Sequence, residues 1–321
     1  MNNPEFKLCS ILIPAYNSQE YIIKALESVT KIKNYDQFIN IHVVNDASND
    51  TTEQLVNDYA KIHKNIYLYN KKLNGNWGSV INYAKNNQIF NSKYMMILDS
   101  DDLIHNNFLN VLIKKIDKDN LDFVLTKTTV IFNKIKVIIN PKMFIKYHNQ
   151  KIAPVLIPCS IVFKTHLFYQ ADDLIENVSY QDYPLFLDLL SKAKKFKVIN
   201  RITATYWFTR PFNTMSSGWT KKRLKSEECA FSALKKINSS EFFIFKFLLP
   251  KFVKGLYLTN TKVYLSETKI NYLLQNVSSF AKFLLKININ KAIKNKNLFL
   301  IKEENSDRFE LIENIKGEKW N

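Results

Sequence analysis

The sequence predicts an α/β fold with a doubly wound, mixed and mainly parallel sheet that carries helices on both faces. In the first hundred residues, short continuously apolar runs alternate with segments of helical period. Such runs are typical of strands that are buried on both faces. Polar residues follow the runs directly, and right-handed crossovers would bring these polar segments to one edge of the sheet.

The predicted elements alternate regularly along the first hundred residues. The predicted strands are 8–13, 39–44, 65–69 and 94–98. Ser18 is expected to cap the first helix, and Asp50 with Glu53 has the spacing of a capping box at the start of the second. A third helix is predicted over 77–90, where the apolar residues again recur with helical period.

The pattern changes after the fourth strand. We predict a helix at about 105–117, β-rich sequence as far as 139, a strand at 160–163 and a helix over 184–190. From residue 219 onward the period is mostly helical. The predicted amphipathic segments there are 221–237, 241–258, 269–285 and 305–315. The chain is therefore expected to divide into residues 1–218, with halves 1–102 and 103–218, and a basic helical region over 219–321.

The chain is strongly basic, with a net charge of +17, and its basic residues are concentrated at one end. Residues 219–321 contain 20 Lys and Arg against 10 Asp and Glu, so this region contributes +10 of the total. An anionic partner would explain the excess: nucleic acid, a phospholipid surface or a phosphorylated substrate. Solvated surface lysine in a chain rich in Asn, Ile and Lys explains it equally well.

Cysteine content and hydropathy predict a cytoplasmic protein. The three cysteines have no CxxC or disulfide spacing, and the first residues lack the basic and apolar regions of a secretory leader. No run of 18 apolar residues occurs; the nearest, 242–254, is interrupted by three lysines and a proline. This segment could lie on a membrane, but we do not expect it to cross one.

The glycine content excludes the common phosphate-binding loops. The chain has five glycines, and neither G-x-G-x-x-G nor a P-loop motif can be written with them. No Ser-His-Asp or Cys-His arrangement is indicated by spacing, and the five histidines have no ligand spacing and are interpreted as surface or core residues. The phosphates of a nucleotide substrate would therefore have to be neutralised by another structural feature.

An acidic loop that could hold a divalent cation is the candidate for this feature. Asp99-Ser100-Asp101-Asp102 directly follows a predicted buried strand, and carboxylates with substrate phosphates are the usual ligands of Mg²⁺ and Mn²⁺. Taken by itself, the tetrapeptide fits a solvated turn and helix cap better than a metal site, because Asp is common in turns. Asp46, at the end of the second strand, could accept from a nucleoside base or a ribose hydroxyl, or could cap the following helix.

Several segments at this predicted edge resemble family 2 glycosyltransferases with the GT-A fold. They are IPAYN at 13–17, VVNDASNDTT at 43–52, NGNWGS at 74–79 and LDSDD at 98–102. Downstream and with lower specificity, SIVFK at 160–164 resembles the acceptor-side strand of that family. YQDY at 180–183 resembles the catalytic Glu-Asp motif, and YWFTRP at 206–211 resembles the loop that folds over the donor. The resemblance covers about residues 8–218.

The resemblance implies an inverting, metal-dependent transferase that uses a nucleotide-sugar, most often a UDP-sugar, in the synthesis of bacterial cell-surface polysaccharide. It makes Asp182 the general base, and Asp99 and Asp101 the ligands of Mn²⁺ or Mg²⁺. The donor-binding residues that it implies are Pro14, Ala15, Tyr16, Asn17, Asp46, Asn74, Gly78, Ser79, Asp99, Ser100 and Arg210. Inverting transfer needs one base and one charge sink, and these residues supply both.

The sequence departs from the family pattern in three respects. Gln181 replaces the acidic neighbour of the expected base, which would leave Asp182 easier to ionise. Asn82 stands where relatives often carry an arginine, so phosphate neutralisation would rely on the metal or on Lys71, Lys72 or Arg210. Phe212 and Asn213 stand where many relatives offer a histidine ligand. Trp77, Trp207 and Trp219 could each stack on a sugar or serve packing.

The expected partners are the donor and a glycan or lipid-linked acceptor. The basic C-terminal helices would contact the anionic inner face of the plasma membrane or form a homo-oligomer. A second hypothesis is a GT-A scaffold that has lost turnover and binds another transferase. Nucleic acid is not expected, because no DNA- or RNA-binding motif accompanies the charge.

Overall fold

The structure is a computed structural model of the 321-residue chain. It describes residues 4–132, 135–141, 156–208, 263–266, 286–287, 289–290, 293–294 and 298–301. The chain divides into two compact units, Met1–Ser217 and Gly218–Asn321.

The first unit alternates strands and helices. Its strands are β1 Lys7–Ala15, β2 Ile39–Asn45, β3 Ile66–Asn70, β4 Ser92–Ile97, β5 Leu103–Ile104, β6 Phe123–Phe132, β7 Ile135–Ile139, β8 Ile161–Lys164 and β9 Phe196–Trp207. Its α-helices are α1 Ile22–Thr30, α2 Tyr35–Phe38, α3 Thr52–Ile62, α4 Asn76–Asn86, α5 Phe108–Val111, α6 Thr165–Tyr169 and α7 Asp182–Lys192. A π-helix, Leu112–Asp117, continues α5, and a short 3-10 helix, Pro158–Ser160, precedes β8.

Among the described residues these strands form one sheet in the order β3-β2-β1-β4-β8-β6-β9-β5, with β7 paired to β6. β1 is parallel to β2 and β4, and β2 is parallel to β3. β8 is antiparallel to both β4 and β6, and β6 is parallel to β9. The carboxyl ends of β1, β2, β4, β6 and β9 therefore lie at the same edge, as a doubly wound sheet requires.

Both faces of the central strands are buried, which explains their continuously apolar sequence. On one face Cys9, Ile11 and Ile13 of β1 pack with buried residues of α1 and α3. On the other face the ring of Phe163 in β8 lies 6.4 Å from Phe168 of α6 and 6.2 Å from Phe186 of α7. The predicted fold class, a mixed and mainly parallel sheet with helices on both faces, is confirmed.

The predicted helix starts are partly wrong. α1 begins at Ile22, and the Ser18 side chain bonds to Tyr16 O and Ser100 Oγ instead of capping it. Asp50 Oδ1 does accept from Thr52 N at 3.0 Å, in the first turn of α3. Glu53, however, accepts from Asn70 Nδ2 at 2.8 Å, so the reciprocal half of the capping box is absent there. Ser18 and Glu53 thus bond to residues that are distant in the sequence, Ser100 and Asn70, instead of to the ends of their helices.

One predicted helix differs from the structure, and one long strand was not predicted. The helix expected at 105–117 is α-helical only over Phe108–Val111 and then becomes a π-helix. The longest strand, β9, was missed, and the loop expected at 206–211 starts within its last two residues. The first half of β9 has exposed polar and charged residues, Lys197, Asn200 and Arg201, which hide the strand signal.

In the second unit the structure describes a two-stranded parallel sheet of β10, Val263–Ser266, and β11, Leu298–Ile301. Both strands fall between the predicted amphipathic helices. Residues 221–237, 241–258, 269–285 and 305–315, where those helices were predicted, lie outside the described residues. Within the described residues, no helix combines the length and the apolar character needed to cross a bilayer.

His42 in β2 is a buried histidine that makes stability depend on pH. Its side chain is 0% exposed, and its Nε2 lies 3.2 Å from Ser10 Oγ. Its ring stacks on Tyr67 at 5.3 Å. Burial lowers the pKa of His42 from 6.5 to about 3. The folded state therefore holds this imidazole neutral while the unfolded chain binds a proton below pH 6.5.

Because the folded pKa is depressed, we expect stability to be unaffected by His42 above pH 6.5 and to fall as pH drops from 6.5 towards 3. The expected slope is about 1.4 kcal/mol per pH unit, so about 2 kcal/mol is lost by pH 5. Urea unfolding at pH 5, 6 and 7 measures it. His42→Gln should flatten this slope, whereas His166→Gln, at an exposed site, should leave it unchanged. An equal slope in wild type and His42→Gln contradicts the assignment.

Candidate functional site

The candidate site lies at the carboxyl ends of β1, β2 and β4. Pro14 and Ala15 are buried in the last residues of β1, and Ala15 O accepts from Asp46 N at 2.8 Å. Tyr16 is 47% exposed, so its ring is accessible at this edge. Asn17 has a left-handed backbone, with φ of 47°, which turns the chain out of the strand.

Side-chain hydrogen bonds fasten the loops after these strands to one another. Asn17 N donates to Ser48 Oγ at 3.0 Å, and Asn49 N donates to Asn17 Oδ1 at 2.9 Å. Ser18 Oγ lies 2.8 Å from Ser100 Oγ in the acidic loop. The loops after β1, β2 and β4 therefore form one connected edge.

The acidic loop presents carboxylates with different surroundings. Asp99 is half-buried, and its Oδ1 accepts from the indole Nε1 of Trp77 at 3.0 Å. Asp101 is 7% exposed and Asp102 is 0% exposed. Trp77 thus orients Asp99 from α4, a role that neither the stacking nor the packing interpretation anticipated.

Asp102 is the most confined of these carboxyls. Burial, followed by the charges of Asp101 and Asp99, raises its pKa well above the usual range. Its Oδ1 accepts from Trp207 N at 3.1 Å, which ties the acidic loop to the end of β9. Its Oδ2 is buried without a hydrogen-bond partner in the described part of the chain, and the Cys159 thiol lies beside this carboxyl.

The chemistry of this loop fits a divalent cation. The three carboxyls are close enough for the charges of Asp101 and Asp99 to add to burial in raising the pKa of Asp102. Hard oxygen ligands of this kind suit Mg²⁺ and Mn²⁺. In the described residues no group of three or more His, Cys, Asp or Glu forms a complete protein site. A cation held by two carboxylates, with the phosphates of a substrate as its other ligands, is compatible with this finding.

Asp46 is the centre of a buried polar network. The residue is 2% exposed, and its carboxylate pairs with the Lys71 ammonium, which also bonds to Ser79 Oγ. Gly75 N donates to both Asp46 oxygens, at 3.3 and 3.2 Å, and Asn74 Nδ2 donates to Asp46 O at 3.1 Å. Asp46 therefore organises the loop before α4, and its donor-binding role remains a prediction, as do those of Asn74 and Ser79.

Asn82, at the position where relatives often carry an arginine, holds the segment before α7 in place. Asn82 Nδ2 donates to Leu174 O at 2.9 Å, and Leu174 N donates to Asn82 Oδ1 at 2.9 Å. Asn82 Nδ2 also bonds to Glu176 Oε1 at 3.2 Å. Through these hydrogen bonds the neutral amide of Asn82 joins α4 to the segment that leads into α7.

Gly78 lies at the close approach between α4 and that segment. A Cβ at Gly78 would come within 2.8 Å of Ile175 O and 3.3 Å of Gln181 Cγ. Gln181 is buried, and its Oε1 accepts from Ile175 N at 3.1 Å. The neutral amide at position 181 thus holds the backbone next to the expected base.

We expect Gly78→Ala to destabilise the protein by about 1 to 3 kcal/mol, because the new methyl group meets a backbone oxygen that cannot move aside. Donor binding should weaken with it, since α4 and the segment before α7 are pushed apart. Urea unfolding measures the loss. Asn86→Ala, at an exposed position of the same helix, should change stability little. Unchanged stability in Gly78→Ala would show that the contact is not tight.

Asp182 is the first residue of α7, where the positive end of the helix favours a carboxylate. The same indole that donates to Asp99 lies with its ring 6.5 Å from Phe186, one turn along α7. Gly78, adjacent to Trp77 in α4, approaches Gln181. The first turn of α7 and the acidic loop therefore meet on the same part of α4. Arg210, with Phe212, Asn213 and Trp219, lies outside the described residues.

Besides Asn17, the non-glycine residues Ala47 and Tyr180 have left-handed backbone conformations close in sequence to the carboxylates of the site. Ala47 has φ of 57° and directly follows Asp46, and Tyr180 has φ of 63° two residues before Asp182. Each costs on the order of 1 kcal/mol, a strain that commonly accumulates at functional sites.

Comparison with known proteins places this geometry in a family. The model of "Glycosyl transferase family 2" matches residues 10–174. The uncharacterized glycosyltransferase MG060 homolog of Mycoplasma pneumoniae is 34% identical over 248 residues, covering 76% of this chain and 83% of that protein. The minor teichoic acid biosynthesis protein GgaB of Bacillus subtilis is 34% identical over 114 residues, 35% of this chain and 12% of that protein.

Among solved structures, S. aureus TarS residues 1–349 in complex with UDP-GlcNAc is similar, with a TM-score of 0.64 at 19% identity. The similarity covers 90% of this chain and 89% of that chain. At this level of identity the similarity supports the fold alone, and that fold is GT-A-like. The family match ends at residue 174, before Asp182, so it does not reach the expected base.

Proposed function

The chain belongs to glycosyl transferase family 2, and we propose that it transfers a sugar from a UDP-sugar to a hydroxyl of a glycan or lipid-linked acceptor, with inversion at the anomeric carbon. The observation that carries this proposal is the shared contact of Trp77. Its indole bonds to Asp99 of the acidic loop and packs against Phe186 of α7, the helix that begins with Asp182. A donor-holding loop and a candidate base thus meet on one helix.

The edge loops would bind the nucleoside of the donor. Tyr16 offers an exposed ring next to Pro14 and Ala15, and Asn17 and Ser100 belong to the same hydrogen-bonded edge. UDP is favoured because the TarS structure with a similar fold holds UDP-GlcNAc. Cell-surface polysaccharide is favoured because GgaB, which shares one segment with this chain, is a teichoic acid biosynthesis protein.

Asp99 and Asp101 would hold Mn²⁺ or Mg²⁺ with the diphosphate of the donor. Bound there, the cation supplies a positive charge that stabilises the departing diphosphate. Trp77 fixes the orientation of Asp99 by its 3.0 Å hydrogen bond. Asp102 holds the other side of the loop against β9 through Trp207 N.

Asp182 would act as the general base. It accepts the proton of the acceptor hydroxyl as the acceptor oxygen bonds to the anomeric carbon and the bond from that carbon to the diphosphate oxygen breaks. UDP leaves with the bonding electron pair. One displacement inverts the configuration, and Gln181 adds no second charge beside the base.

We place the reaction in the cytoplasm, at the inner face of the plasma membrane, where an anionic surface matches the net charge of +17. The basic second unit would contribute to this contact or to self-association.

The proposal is tested by UDP release from a panel of nucleotide-sugars in the presence of Mn²⁺, of Mg²⁺ or of EDTA. We expect release from at least one UDP-sugar, rising when a hydroxyl-bearing glycan or glycolipid acceptor is added and lost in EDTA. Release from GDP- or dTDP-sugars alone would contradict the choice of nucleotide. Absence of release from every donor, with intact binding of UDP, would favour a non-catalytic scaffold.

A further inference from the structure

An exposed apolar hairpin extends from the carboxyl edge of the sheet. β6 continues through Phe132 and returns as β7, with Phe132 opposite Ile135 and Val130 opposite Val137. Four large apolar side chains of this hairpin are exposed: Phe132 by 47%, Ile135 by 64%, Val137 by 45% and Ile138 by 53%. Groups of exposed apolar residues of this kind mark interaction surfaces.

The sequence that contains this hairpin is basic and has no acidic residue. The 49 residues from 123 to 171 contain seven lysines and neither Asp nor Glu. Lys136 is exposed in the middle of β7, opposite Ile131. Apolar side chains together with lysines are the combination that binds an anionic lipid surface, because each lysine is attracted to the headgroups while the apolar groups enter the interface.

The hairpin is connected to the candidate site by the strand ends. Phe132 stacks on Phe208 at 5.4 Å, and Phe208 N donates to Ile131 O at 3.0 Å. The preceding residue, Trp207, donates its N–H to Asp102 of the acidic loop. A surface that meets the hairpin therefore lies beside the acidic loop.

We propose that the paired ends of β6 and β7, residues 129–132 and 135–139, dock on an anionic phospholipid bilayer, with Phe132, Ile135, Val137 and Ile138 entering the interface. This docking does not depend on the proposed function, but the use of a lipid-linked acceptor next to the acidic loop does rest on it. Strand pairing with a second copy through β7 is the competing occupant. Lys136 opposes it, because a charge on an edge strand disfavours the addition of another strand.

The test is sedimentation of the full chain with vesicles of phosphatidylglycerol or of phosphatidylcholine. We expect wild type to bind phosphatidylglycerol at least about ten-fold more tightly than phosphatidylcholine, with binding weakened by salt. The triple variant Ile135→Ser/Val137→Ser/Ile138→Ser should bind phosphatidylglycerol about ten-fold more weakly than wild type. The matched control Ile62→Ser/Leu73→Ser removes two apolar side chains that are 77% and 80% exposed elsewhere and should bind as wild type does.

Lys136→Glu provides a second variant that keeps the apolar side chains, and it should weaken binding to phosphatidylglycerol only. UDP release from soluble donor without vesicles should be the same in all variants, which separates docking from catalysis. Undiminished vesicle binding by both hairpin variants overturns the proposal and assigns membrane contact to another part of the chain. A wild-type dimer that the triple variant dissociates, with no vesicle binding, overturns it in favour of self-association.

Discussion

Replacing Asp182 with asparagine is expected to lower kcat by a factor of about 100 to 10,000 while the affinity for UDP and Mn²⁺ stays within about two-fold of wild type. The amide keeps the size of the side chain at the start of α7 but cannot accept the proton of the acceptor hydroxyl. Calorimetry with UDP and Mn²⁺ measures binding, and UDP release with acceptor measures turnover.

The matched control is Asp188→Asn on the same helix. Asp188 pairs with Lys192 one turn away, at 2.5 Å, and lies outside the proposed chemistry. Asp188→Asn keeps the size of the side chain and should leave kcat nearly unchanged, because Asp188 takes no part in the proposed transfer. If Asp182→Asn turns over as fast as Asp188→Asn does, another residue is the base.

Replacing Asp101 with alanine is expected to abolish the metal-dependent part of donor binding, weakening UDP affinity in Mn²⁺ by at least about 100-fold. The variant should bind UDP equally in Mn²⁺ and in EDTA, because the cation no longer bridges protein and diphosphate. Titration calorimetry in both conditions measures the difference.

Asp119→Asn controls for the loss of one carboxylate, since Asp119 pairs with Lys197 at an exposed position of the same unit. It should show the full effect of Mn²⁺ on UDP affinity. A wild-type response to Mn²⁺ in Asp101→Ala would exclude Asp101 as a metal ligand, and urea unfolding of both variants would separate this result from a loss of fold.

The strand and helix pattern of the first hundred residues could be predicted because burial on both faces leaves a continuous apolar signal. β1 and β2 are nearly fully buried, and the sequence marks both. β9 was not predicted because exposed polar residues, Lys197, Asn200 and Arg201, interrupt its apolar pattern, and because its pairing with β6 is set by contacts 70 to 80 residues apart along the chain. Local pattern does not carry such information.

The site could be predicted as a set of residue types at one edge, but its internal contacts could not. The resemblance indicated the acidic loop and Asp46 as neighbours of the donor. It did not show that Asp46 pairs with Lys71 inside the protein or that Trp77 orients Asp99. The one available signal was the indole N–H of Trp77, a donor that must find an acceptor when it is buried.

The central claim, that the acidic loop holds a cation-bound nucleotide-sugar facing Asp182, is tested most directly by an anomalous difference map of a crystal grown with UDP and Mn²⁺. We predict a manganese peak between the carboxylates of Asp99 and Asp101 and the UDP diphosphate, with the Asp182 carboxylate facing the side where the sugar attaches. A peak away from both aspartates, or an Asp182 carboxylate turned away from the diphosphate, would contradict it.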